Sequence, residues 1–66
     1  MFSRGLRKMR ADRDFTQVEL AKKTGVTQAA ISRYEDGSAL PSLDVAVKIA
    51  EALRCSVDDL LERRIS

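Results

Sequence analysis

Thr16, Gly25 and Thr27 constrain this chain more than any other residues, because they start, stop and restart a helix within a short span. Thr16 reads as an N-cap, and Glu19 three residues later completes a capping box, each side chain bonding the other's backbone N–H. Leu20 and Ala21 point inward from this helix. Gly25 stops it, since glycine alone takes a left-handed cap at little cost. Thr27 caps the next helix, in which Ala30, Ile31 and Tyr34 share one side. The turn signal Asp36-Gly37 ends it. The spacing predicts two helices of about eight to ten residues each, crossing steeply through Thr24-Gly25-Val26-Thr27. In such a crossing Ala21 must be small where the helices approach, Gly25 must accept positive φ, and Ile31 must plug the wedge.

The remainder of the chain also reads as helix. No segment alternates with period two, and glycine and proline together number only four. Phe2, Leu6 and Met9 recur at helical spacing, with Ser3 the expected N-cap of a first helix that ends near Arg13 and is weakened at Gly5. Pro41 forbids helix continuation and Ser42 caps a fourth helix. Leu43, Ala46, Val47, Ile49, Ala50 and Leu53 give that helix a broad apolar face and mark it as the central buried one. Ser56 and Asp59 repeat the capping-box pattern for a short fifth helix carrying Val57, Leu60, Leu61 and Ile65. The expected fold class is all-α, a compact five-helix cluster forming a single domain over residues 1–66.

Several function classes are excluded by what is missing. With 66 residues the chain is too short for barrels or doubly wound sheets. It has no histidine, which removes His-based metal sites and catalytic triads. Cys55 is the one cysteine and cannot form an internal disulfide. No apolar stretch approaches a membrane span, and Met1-Phe2 is followed at once by Ser3, Arg4 and Gly5, so neither a signal-peptide core nor an anchor is expected. A reduced, cytoplasmic protein without metal, cofactor or small-molecule ligand is expected. No paired carboxylates, phosphate loop or activated nucleophile suggests an enzyme. Charge is more informative. Residues 1–33 carry eight basic groups against three acids, net +5, whereas residues 34–66 carry four against seven, net −3. A basic half in a small domain suits a polyanionic partner.

The segment Thr16-Gln17-Val18-Glu19-Leu20-Ala21-Lys22-Lys23-Thr24-Gly25-Val26-Thr27-Gln28-Ala29-Ala30-Ile31-Ser32-Arg33-Tyr34-Glu35-Asp36-Gly37 closely resembles the Cro and phage-repressor helix-turn-helix family. Leu6-Arg7-Lys8-Met9-Arg10 is similar to that family's first helix. Pro41-Ser42-Leu43 with Lys48-Ile49-Ala50-Glu51-Ala52-Leu53 is similar to its fourth, and Ser56-Val57-Asp58-Asp59-Leu60-Leu61 to its closing helix. The resemblance, over residues 6–61, implies a lambda-repressor-like fold whose third helix enters the DNA major groove, working as a homodimer on a palindromic operator. Asp14 and Arg54 stand where the family often has glycine, so both are expected in left-handed conformations. Ser38-Ala39-Leu40 replaces a loop that is often basic. Cys55 replaces a small apolar residue and reads as a structural thiol.

The resemblance also implies roles. Gln28, at the start of the third helix, would read a base edge, its amide matching adenine N6 and N7. Arg33 would read guanine or neutralise a phosphate, while Ala29 and Ser32 line the same face. Gln17 would hold a phosphate at the first turn of the second helix, with Thr16, Thr27 and the Tyr34 hydroxyl as further phosphate donors. Ala21, Gly25 and Ile31 are structural, and Arg10 with Glu35 forms a structural ion pair. Lys8, Arg13, Lys22 and Lys23 supply long-range attraction more than fixed bonds. Leu61 and Ile65 are the candidate dimer surface. The function that follows is a transcriptional regulator, repressor or controller. The alternatives are a DNA-binding antitoxin component or a protein–protein module retaining the fold.

Overall fold

The structure, a computed structural model, describes residues 2–62. Five helices follow in order: α1 (Phe2–Asp12), α2 (Gln17–Thr24), α3 (Gln28–Asp36), α4 (Leu43–Leu53) and α5 (Val57–Leu60). No strand occurs among the described residues. Four of the helices begin at a hydroxyl. Thr16, Thr27, Ser42 and Ser56 are extended and each accepts from the backbone N–H three residues on, satisfying a donor that has no partner within the helix. At α2 and α5 the bond is reciprocated, Glu19 accepting from the Thr16 N–H at 2.9 Å and Asp59 from the Ser56 N–H at 3.0 Å. These N–H donors pull both carboxylates below their ordinary pKa.

The start of α1 differs from expectation. Ser3 lies inside the helix and does not cap it, because the helix is already formed at Phe2. The Phe2 ring is buried and meets Tyr34 edge-on with centroids 6.5 Å apart. Burying such a ring contributes about 1.5–3 kcal/mol, more than the roughly 1 kcal/mol of a hydroxyl cap, which favours keeping Phe2 within the helix.

Each helix contributes a fully buried side chain to one centre: Leu6, Leu20, Ile31, Ile49 with Leu53, and Leu60. α1 packs against α3 and α5, α2 against α3 and α4, and α4 against α5. The apolar face of α4 is narrower than the sequence suggests. Ala46, Ile49, Ala50 and Leu53 are buried, but Leu43 is 73% and Val47 41% exposed. At 3.6 residues per turn, positions 46, 49, 50 and 53 centre the stripe while 43 and 47 fall on its flank. Leu40, just before α4, is 79% exposed as well.

Gly5 has a purpose that its effect on helix propensity hides. It is buried where α1 crosses α5, and a Cβ there would sit 1.8 Å from the Leu60 carbonyl oxygen. The ends of α1 and α4 use left-handed residues other than glycine, Asp14 at φ 55° and Arg54 at φ 54°, and Glu62 after α5 has φ 59°. After α1, Asp14 N–H bonds to the Ala11 carbonyl and Phe15 N–H to that of Arg10. After α4, Arg54 bonds to Glu51 and Cys55 to Ala50 in the same way. Both are Schellman closures. Arg13 does not act as an unfixed charge. Its Nε donates to the Leu53 carbonyl at 2.8 Å and its Nη2 to that of Arg54 at 3.3 Å. Carbonyls at a helix C-terminus lack intrahelical partners and lie at the negative dipole end, which a guanidinium satisfies on both counts. No helix among the described residues is long and apolar enough to cross a membrane.

Candidate nucleic-acid interface

The crossing of α2 and α3 is built by local chemistry. Gly25 takes φ 74°, and its N–H returns to the Ala21 carbonyl at 2.9 Å. Thr24 fixes the turn from both sides, its hydroxyl donating to the Leu20 carbonyl at 2.8 Å and accepting from the Val26 N–H at 3.2 Å. Ala21 is half-buried against the core and Ile31 is fully buried. Side-chain packing and one positive φ together set how α3 leaves the turn.

That packing divides α3 lengthwise. Ile31 and Glu35 are buried, with Ala30 and Tyr34 half-buried beside them. Gln28, Ala29, Ser32 and Arg33 are all exposed. At about 100° per residue those four occupy one arc of about 140°. Those four carry an amide, a methyl, a hydroxyl and a guanidinium, the groups that match base edges in a major groove, and the exposed Asp36 carboxylate lies within the same arc. Tyr34 is half-buried on the side of α3 away from this arc, its ring held against Phe2.

The other residues expected to meet phosphate stand at the starts of α2 and α3. Thr16 and Thr27 are exposed, and each hydroxyl accepts from a backbone N–H at 3.1 Å, Glu19 and Ala30 respectively. A hydroxyl used this way keeps its own proton for another acceptor. Gln17 is the first residue of α2, half-buried, and its Nε2 donates to Glu35 Oε1 at 3.2 Å. That bond has no local signature in the sequence, since the two residues lie on different helices.

Glu35 is the buried centre of a polar cluster, only 4% exposed. Arg10 donates to it twice, Nε to Oε2 at 2.6 Å and Nη2 to Oε1 at 3.0 Å. The third arm, Arg10 Nη1, donates to the Phe15 carbonyl at 2.8 Å. Hydrogen bonding to Glu35 raises the Arg10 pKa still further. Phe15, unremarked in the sequence, is half-buried, with Lys23 Nζ 5.7 Å from its ring centroid. Lys23 is therefore packed as well as charged.

Other singled-out residues lie elsewhere. In the loop after α3, the Ser38 N–H donates to Asp36 Oδ1 at 2.8 Å, and Ser38 holds the Asp36 carboxyl below its usual range. Cys55 is half-buried, and desolvation pushes its thiol pKa up. Leu61 is half-buried against the core, and Ile65 lies outside the described residues. Among the described residues no group of three potential ligands is placed to hold a metal ion.

The helix-turn-helix family model matches residues 6–60, nearly the whole chain. The chain belongs to this family. A cryptic phage CTXphi transcriptional repressor of Vibrio cholerae is 40% identical to this helix-turn-helix chain over 48 residues, 73% of this chain and 43% of the relative. The chain spans about half the length of the curated relatives it first matches. Among solved structures, the P22 c2 repressor in complex with a synthetic operator superposes with a TM-score of 0.85 at 30% identity, covering 91% of each chain. The restriction–modification controller protein C.AhdI from Aeromonas hydrophila gives a TM-score of 0.85 at 29% identity, covering 89% of each. The five-helix arrangement is thus the lambda-repressor-like fold.

Proposed function

We propose that this chain is a DNA-binding transcriptional regulator, acting through residues 1–66 as one domain, with α3 in the major groove. Gln28, Ala29, Ser32 and Arg33 read bases. Gln17, Thr16, Thr27 and Tyr34 hold the flanking phosphates. The observation that carries this assignment is the lengthwise division of α3, whose one side packs inward while Gln28, Ala29, Ser32 and Arg33 on the other present groups suited to base edges. The likeness to a repressor bound to operator DNA supports it. A single such helix covers too few base pairs to stand out from a genome, so the chain works as a homodimer with its two α3 helices about 34–36 Å apart. Its role is regulatory and not enzymatic, and its place is the cytoplasm, with the DNA.

The test is selection of bound sequences from a random duplex pool, followed by Gln28→Ala. That change should cost about 1–3 kcal/mol on the selected site and relax preference at one position per half-site. Equal weakening on selected and random DNA would remove Gln28 from the base-reading set.

A further inference from the structure

Glu35 is buried beside the Gln28 edge of the exposed arc of α3, and could be taken as half of a structural ion pair. Its third hydrogen bond points to more. A carboxylate bound to a guanidinium can only accept, so the Gln17 amide must turn its nitrogen, not its oxygen, toward Glu35. That settles which way round the amide sits. One N–H of Nε2 is engaged by Glu35, and the other remains for an acceptor outside the protein.

We infer that Glu35 is a positioning residue for DNA binding, orienting the Gln17 amide so that its second N–H is presented to a phosphate oxygen. This rests on the phosphate role proposed above for Gln17. A glutamine at a helix start ordinarily samples several rotamers and both amide orientations, and only one that leaves an N–H directed outward suits an anion. Fixing it before the DNA arrives removes that ordering cost from binding. Arg10 completes the device. Two guanidinium bonds fix the Glu35 carboxylate, and the positive charge cancels the negative one that would otherwise repel a phosphate beside Gln17. The cluster thereby ties α1, the first residue of α2 and the end of α3 to one phosphate contact.

The test is a coupling measurement on DNA affinity. Changing Glu35 alone would strand the Arg10 charge and endanger the fold, so the pair is removed together as Arg10→Met with Glu35→Leu. This keeps net charge and apolar volume, and replacements of that kind are often tolerated. Affinity is measured for the intact chain, the pair variant, Gln17→Ala and the combination, each at a temperature where circular dichroism shows it folded. The pair variant should lose affinity about two- to tenfold, the yield of one well-held hydrogen bond. The same change made in the Gln17→Ala protein should lose nothing further. In NMR spectra of the intact chain, the Gln17 side-chain amide protons should stand apart from those of exposed Gln28, and in the pair variant they should move toward them. Losses that multiply independently, or Gln17 amide signals already coincident with those of Gln28, would overturn the positioning role. If Gln17→Ala binds as well as the intact chain, Glu35 positions nothing for DNA, although the chain remains a DNA-binding protein. Failure of the intact chain to bind any duplex would instead overturn the proposed function itself.

Discussion

Gly5→Ala offers a test of the packing in which two physical effects have opposite signs. Gly5 lies within the eleven-residue helix α1, where helix propensity alone favours alanine by about 1 kcal/mol. The α1–α5 contact says the reverse. A Cβ at this position would lie 1.8 Å from the Leu60 carbonyl oxygen, 2.5 Å from its carbon and 3.0 Å from its Cα. All three are backbone atoms and cannot swing aside as a side-chain tip would. Relief requires α5 to shift from α1, which loosens Leu60, a fully buried residue worth about 1.5–3 kcal/mol in burial. Overpacking of this kind costs about 1–3 kcal/mol, and here it sits at the upper end because the obstacle is main chain. After the propensity gain is subtracted, the net loss should be about 1–2 kcal/mol, which in a domain this small lowers Tm by roughly 4–8 °C per kcal/mol. Thermal unfolding followed by circular dichroism at 222 nm reads it directly. A Gly5→Ala protein that melts higher than the parent would show that α1 and α5 do not cross this closely.

Two further outcomes follow from the backbone and the caps. Arg54 holds φ 54° at the end of α4, so Arg54→Gly should leave stability unchanged or raise it by up to about 1 kcal/mol, whereas Arg54→Val should lower it by more than that; equal urea midpoints for the two would deny the left-handed closure. The Glu19, Asp36 and Asp59 carboxyls are held below their ordinary pKa by hydrogen bonds from Thr16, Ser38 and Ser56. The unfolded chain therefore binds protons first as pH falls, so stability should be level above about pH 5 and decline through roughly pH 4 and below; a urea midpoint that rises on acidification would contradict the caps.

What was legible in the sequence is what is decided locally. A hydroxyl at Thr16, Thr27, Ser42 or Ser56 bonds an N–H three residues away, so cap and sequence lie in the same short window. Gly25, Asp14 and Arg54 are similar, since left-handed closure involves only the preceding turn. The features that escaped depend on partners far along the chain. Gly5 meets Leu60, Arg13 meets Leu53 and Arg54, and Gln17 meets Glu35. A glycine inside a helical pattern does signal a close approach, but nothing local names what approaches. Leu43 and Val47 were misplaced for a related reason. Periodicity identifies an apolar stripe, while the neighbouring helices determine how much of its width they cover.

The way α1 and the turn after it are packed also changes what an ionic-strength titration would measure. Binding to a duplex releases a counterion only where a cation actually reaches a phosphate, with the log–log slope steepening by about 0.9 for each. Of the eight basic side chains before residue 34, Arg10 is cancelled by Glu35, Arg4 is paired with Glu62 at 3.6 Å and Arg13 is aimed at two carbonyl oxygens. At most five of the eight are then left uncommitted to displace condensed ions. The slope should accordingly be shallower than the basic half of the sequence implies, because part of that positive charge holds the protein's own helices together.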